Sequence, residues 1–266
     1  MRPVLFHIGG SPVYSYGVFL FIAFLVGTLI GVYLLGRRGV PSSSVYLLAA
    51  ALAFSALIGA RVFYVFGHLS DFSGNWVSAF DINTRGMVFY GGVLFALPVG
   101  IVVVKRMKID TGVVASAAGL ALFPSIAIAR IGCFLNGCCG GKPSGLPWAV
   151  TFPGATQAVH PTQLYEAVLN LAAFALLLVA GRYLRRGWDL FLLAFAEYAA
   201  IRFVMEFFRF HPSGGASVFF QALSAVIFAV AIGILWYRHR KGSEPESPPV
   251  TGQELEPDAP RKERIP

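Results

Sequence analysis

The stretch YSYGVFLFIAFLVGTLIGVYLL, residues 14–35, carries no charge and is followed at once by Gly36-Arg37-Arg38. A bilayer's hydrocarbon core is crossed by about 20 consecutive apolar residues of helix, and this run is long enough. Lipid offers no water to its backbone groups, so they must bond within the segment, as in an α-helix. Comparable runs recur at about 44–66, 87–104, 112–130, 163–181, 189–209 and 216–237. They are continuous rather than alternating, which excludes a transmembrane β-barrel. The sequence therefore predicts an all-α integral membrane protein with seven transmembrane helices. Composition agrees: 56% of the 266 residues are hydrophobic and 13% are charged, against about 25% charged in soluble domains.

The net charge of +8 is distributed topologically. Arg37 and Arg38 follow the first run, Lys105, Arg106 and Lys108 the third, Arg182, Arg185 and Arg186 the fifth, and Arg238, Arg240 and Lys241 the seventh. The intervening loops hold only Arg2, Arg85 and Lys142, with Arg209 at a helix end. A basic excess in every second loop marks the cytoplasmic side. It predicts an outside N-terminus, a cytoplasmic C-terminus and, since the charge is accounted for, no nucleic-acid partner. Neither G-x-x-x-x-G-K nor G-x-G-x-x-G occurs. Met1–Gly10 lacks the pattern of a cleavable signal peptide. Residues 1–241 form the transmembrane domain. The segment GSEPESPPVTGQELEPDAPRKERIP, residues 242–266, cannot bury a core and reads as a disordered cytoplasmic tail. Two longer non-cytoplasmic segments remain, residues 67–86 with His68, Asp71, Trp76 and Asp81, and residues 132–162 with irregular, Gly- and Cys-rich sequence.

Ionisable groups inside spans cost at least about 2.5–3.5 kcal/mol each and mark functional sites by default. The spans contain Arg61, Arg130, Glu166 and Glu197, with His160, Gln163 and Tyr165 at the start of the fifth. Tyr198, Arg202 and Glu206 recur four apart and Arg209 follows three later, so the pattern predicts one helical stripe facing the bundle interior. An Arg202–Glu206 pair that only fixes packing, an Arg209 that snorkels to headgroups and a His160 that only opens a helix are the structural alternatives. Cations converging on one outer cavity favour an anionic ligand, which in a membrane means a phospholipid headgroup. Tyr16 and Tyr90 open the first and third spans on that side, and Gly91-Gly92 admits either a ligand or a neighbouring helix. In RIGCFLNGCCGGKP, residues 130–143, Cys133, Cys138 and Cys139 lack a C-x-x-C pair. They read as small inert side chains in a compact re-entrant turn, with no metal and no cofactor expected.

SYG at 15–17, GARVFYV at 59–65, GMVFYGG at 86–92, RIGCFLNGCCGG at 130–141, HPTQLYE at 160–166 and Y-x-x-x-R-F-x-x-E-F-x-R at 198–209 together resemble the bacterial prolipoprotein diacylglyceryl transferases. The resemblance implies a multi-pass enzyme of the bacterial cytoplasmic (inner) membrane with its active site toward the non-cytoplasmic side. It implies transfer of the sn-1,2-diacylglyceryl group from phosphatidylglycerol to the lipobox cysteine of a prolipoprotein, releasing glycerol phosphate. Its partners would be phosphatidylglycerol, the prolipoprotein lipobox and surrounding membrane lipids. Carried over by motif, Tyr90, Arg130, Arg202 and Glu206 would be catalytic. Tyr16, Arg61, Gly91, Gly92, Asn136, Gly141, His160, Gln163, Tyr198 and Arg209 would join Arg130 in binding substrate. This chain departs from the pattern at Tyr90, where His is usual, and at Cys133 and Cys138, where Asn and Glu are usual. A neutral Tyr, with a pKa of about 10, is a poor base at pH 7. The alternatives are a Tyr90 that only donates, a Glu206 base, or cations that lower the incoming thiol's pKa. The departures also leave open a non-enzymatic lipid-binding or transport homologue.

Overall fold

A computed structural model describes residues 1–72, 74, 77, 88–184, 187–210 and 215–241. Trp76, Asp81, Arg85, Arg185, Arg186 and the 242–266 tail lie outside the described residues, as does the side chain of Tyr90. A hairpin of β1 (Val4–Ile8) and β2 (Ser11–Tyr14) precedes α1 (Ser15–Gly36) and α2 (Ser42–Gly67). One short turn of helix, α3 (Leu69–Phe72), follows. Then come α4 (Phe89–Arg106), α5 (Thr111–Asn136), α6 (Thr162–Ala180), α7 (Gly187–Met205) and α8 (Gly215–Arg240). The seven long helices coincide with the seven apolar runs. Five are long and apolar enough to cross a membrane: α1, α2, α5, α6 and residues Ser217–Arg240 of α8. The other two are α4, which ends on Lys105 and Arg106, and α7, which carries Asp189, Glu197 and Arg202.

Three features differ from the sequence reading. The antiparallel hairpin was not expected, because two strands of four or five residues give too short a pattern. Helix α5 runs on through Arg130 to Asn136, so the first part of the signature is helix rather than re-entrant turn. Its start is capped by Asp110, whose Oδ1 accepts from Val113 N at 2.9 Å. Its end comes at Gly137, left-handed at φ 75°, whose N–H bonds back into the last turn. Helix α7 stops at Met205, and Arg209 leaves the predicted stripe to form an antiparallel bridge with Gly141.

Helix α5 is the central element, packed against α1, α6 and α7, while α2 pairs with α4 and α7 with α8. Small residues set the close approaches, as expected where helices associate by packing in lipid. A Cβ on Gly132 would lie 2.5 Å from Phe19 Cβ and 3.6 Å from Tyr16 Cα, which draws the start of α1 onto the end of α5. Phe123, Leu177, Met205 and Ala194 fill the α5–α6–α7 core. Large apolar side chains such as Phe54, Phe66, Leu97 and Val168 are exposed on the outside, where lipid would cover them. The up-and-down order brings the starts of α1 and α6 together with the ends of α5 and α7. At the opposite end Asp189 of α7 meets Arg238 Nε of α8 at 2.6 Å.

A buried arginine–carboxylate cluster as candidate active site

Arg130 lies near the end of α5, Glu166 near the start of α6 and Arg202 near the end of α7. Antiparallel packing carries all three to one level. Arg130 Nε meets Glu166 Oε2 at 2.6 Å, and Arg202 Nη1 stands 3.6 Å from Glu166 Oε1. Arg202 Nη2 donates to Oε1 of Glu206, one turn later. The Glu206 side chain is fully buried and that of Glu166 is 3% exposed, while both arginines keep about a fifth of their surface open. Two cations and two carboxylates thus neutralise each other, and the carboxylates lie deepest. Arg202 Nη1 is buried and makes no hydrogen bond within the described residues. A buried guanidinium N–H without a hydrogen bond is costly, and an anionic oxygen is its natural complement.

Glu166 is the residue that sequence reasoning noticed without assigning. Its position in an apolar span was the signal; its pairing with arginines on two other helices was not readable. Tyr198 and Tyr16 flank the cluster, the first close enough to Arg130 to act on its charge and the second set against α5 at Gly132. Asn170 Nδ2 donates to the backbone oxygen of Glu166 at 2.6 Å and steadies that turn of α6.

The segment after α5 folds back over the start of α6. Gln163 Nε2 donates to Cys138 O at 2.5 Å and Thr162 Oγ1 to Cys139 O at 2.8 Å. Gly141 N donates to His160 O, and Lys142 N donates to Phe208 O. A Cβ on Gly141 would lie 2.4 Å from Phe208 O, so glycine is required for this close crossing whatever binds nearby. His160 lies among Tyr165 and Phe208, with Nδ1 3.3 Å from the Tyr165 hydroxyl, which also accepts from Trp148 Nε1 at 2.7 Å. Asn136 closes α5, and the Cys138 thiol donates to Cys133 O at 3.6 Å.

The three cysteines converge. Their sulfurs all lie within 4.8 Å of one another, with Cys133 buried, Cys138 partly buried and Cys139 exposed. A thiol hydrogen bond from Cys133, helped by Cys138 and by the positive charges of Arg130 and Arg209, outweighs burial and holds the Cys139 thiol below its ordinary pKa. Burial pushes Cys138 the other way.

Other predicted positions stand apart. Arg61 is buried on α2 against the rings of Tyr64 and Phe72, at 5.5 and 5.6 Å. Gly91 and Gly92 sit at the α2–α4 crossing, where a Cβ on Gly91 would be 2.5 Å from Gly59 O and one on Gly92 3.0 Å from Ala56 O. Helix packing is enough to explain both glycines.

Residues 3–237 match the family model described as Prolipoprotein diacylglyceryl transferase. A phosphatidylglycerol–prolipoprotein diacylglyceryl transferase of Geobacter sulfurreducens is 32% identical over 78% of this chain and 82% of its own length. A protein of the same name from Rhizobium meliloti is 34% identical over 78% and 79% of the two chains. One from Clostridium tetani is 28% identical over 88% and 96%. Around its arginine–carboxylate cluster, therefore, this chain is built as a member of the prolipoprotein diacylglyceryl transferase family.

Proposed function

We propose that this chain transfers the sn-1,2-diacylglyceryl group of phosphatidylglycerol to the lipobox cysteine thiol of prolipoproteins, the first step of bacterial lipoprotein maturation. Family membership and the names of the relatives support the reaction. The observation that carries it to particular residues is the placing of Arg130 and Arg202 on one carboxylate, Glu166, with Arg202 Nη1 ion-paired at 3.6 Å but making no hydrogen bond within the described residues. The phosphodiester would enter between the two forks. In the reaction the thiolate sulfur attacks the glyceryl carbon, the carbon–oxygen bond breaks, and its electron pair leaves on the phosphate oxygen. Arg130 and Arg202 face the extra negative charge as it develops, which is where preorganised donors accelerate a reaction. The Glu206 carboxylate is engaged by Arg202.

In this reading all seven long helices cross the bacterial inner membrane, with the N-terminus outside and the basic helix ends in the cytoplasm. Residues 1–241 are the catalytic domain and residues 242–266 a cytoplasmic tail. The cluster then lies toward the non-cytoplasmic side, where an exported lipobox and a phospholipid both arrive. The test is incubation of the purified chain with phosphatidylglycerol and a lipobox peptide, read by mass spectrometry. A diacylglyceryl adduct on the cysteine peptide, absent from its serine counterpart, is expected. Saturable lipid binding without any adduct would replace the transferase with a lipid-binding or transport protein.

A further inference from the structure

The reaction needs a thiolate, yet the carboxylates of the cluster are both engaged by arginines. Three other side chains in the same region offer a different route to ionisation. Cys133 is on the last turn of α5, and the left-handed turn at Gly137 brings Cys138 and Cys139 back over it. Cys139 itself is left-handed at φ 66°, a conformation that costs a non-glycine residue about 1–2 kcal/mol. The loop is nonetheless fixed through the carbonyls of both Cys138 and Cys139 by Gln163 and Thr162 of α6. Two anchors therefore hold an unfavourable backbone in the shape that gathers three sulfurs within 4.8 Å.

We propose that Cys133, Cys138 and Cys139 bind one zinc ion whose fourth position takes the incoming lipobox cysteine as its thiolate. The inference rests on the transferase reading above. Tetrahedral zinc with bonds of about 2.3 Å sets its sulfurs about 3.8 Å apart, so the observed triangle needs only a small contraction. Three protein ligands and one open position are the pattern of catalytic rather than structural zinc. Exposure rises from Cys133 to Cys139, which leaves the outer side of the triangle for an arriving ligand. Three thiolates on a divalent ion carry one net negative charge, and Arg130 stands three residues before Cys133 on α5. A coordinated thiol is deprotonated outright, so no side-chain base is required. The lipobox thiol releases its proton to water on binding zinc. Its sulfur then forms the bond to the glyceryl carbon, the electron pair of the broken carbon–oxygen bond leaves with glycerol phosphate, and the neutral thioether dissociates from the metal.

The experiment uses the full chain in detergent, stripped with a chelator and reloaded with Zn²⁺ or with Co²⁺ as a visible substitute. The expected result is one metal ion per chain and a cobalt–thiolate charge-transfer band. That band shifts with a lipobox peptide and does not shift with its serine counterpart. Cys139→Ser should lose the metal while still binding phosphatidylglycerol. Metal content and peptide response are read on the unaltered chain, so a poorly folding variant does not stop the test. At pH 7 the stripped protein should work about 10- to 30-fold slower, the deficit of thiolate in a free thiol of pKa about 8.5, and should recover as pH rises. Metal binding indifferent to Cys139→Ser, or a cobalt band indifferent to the peptide, overturns the proposal. Full-rate thioether formation by stripped protein overturns it too and leaves the transferase reading standing. A peptide-responsive cobalt band with no thioether under any condition supports the metal site and removes the transferase reading.

Discussion

Replacing Glu166 by Gln removes one negative charge and changes almost nothing in shape. Glu166 Oε2 is the described carboxylate partner of Arg130, at 2.6 Å, whereas Arg202 also has Glu206. In the variant the amide can present its oxygen to only one arginine, and its NH2 then faces the other. Breaking a buried ion pair from one side costs about 3–5 kcal/mol. The two arginine side chains are 20% and 18% exposed, so water offsets part of that. A remainder of about 2–3 kcal/mol, spent on misplacing Arg130, corresponds to a loss of about 30- to 150-fold in kcat/KM. The assay is the initial rate of adduct formation against phosphatidylglycerol concentration at pH 7, with Arg130→Ala alongside. The loss in Glu166→Gln should largely disappear in the Arg130→Ala background, because both changes remove the same placed guanidinium. Activity within threefold of the parent, or an undiminished effect of Glu166→Gln without Arg130, would refute the reasoning.

Two further outcomes follow from packing. Gly91→Ala inserts a methyl against Gly59 O and Phe63 and should cost about 1–3 kcal/mol of stability. Thermal unfolding in detergent should show it as a lower midpoint with unchanged phosphatidylglycerol affinity; the reverse would make Gly91 a substrate contact. Asp189→Asn loosens the buried join to Arg238 at the opposite end of the bundle, at a cost of about 1–3 kcal/mol. It should lower the same midpoint and leave the rate at permissive temperature intact, which a fall in kcat with normal stability would contradict.

The helices were legible because a long, continuous and mainly apolar run, of the kind a lipid-crossing helix needs, marks each of them. Their ends were less legible. Ile131, Cys133, Phe134 and Leu135 continue the apolar pattern of α5, yet the Cys- and Gly-rich run after them reads as loop, and only the cap at Gly137 sets the boundary. Arg209 keeps helical spacing from Arg202 in the sequence, but the bridge to Gly141 pulls it off α7. Arg130, Arg202 and Glu206 were found because charge is conspicuous in an apolar span, and the structure does bring them together. Glu166 was equally conspicuous, but its role is a relation among α5, α6 and α7 that no local pattern encodes. The cysteine triangle was hidden for the same reason. A C-x-x-x-x-C-C spacing does not show that Gly137 and the positive φ of Cys139 gather the three sulfurs within 4.8 Å.

The central claim is that the Arg130–Glu166–Arg202–Glu206 cluster holds the phosphate of a diacylglyceryl donor whose carbon–oxygen bond is broken by a thiol. It is tested most directly with phosphatidylglycerol labelled separately in its diacylglyceryl and headgroup halves, presented with a lipobox peptide to the parent chain and to Arg202→Ala. The account predicts that the diacylglyceryl label enters the peptide one-for-one with headgroup label released as glycerol phosphate, and that both fall together in Arg202→Ala. Release of free glycerol with phosphate retained on the lipid, or transfer undiminished in Arg202→Ala, would contradict it.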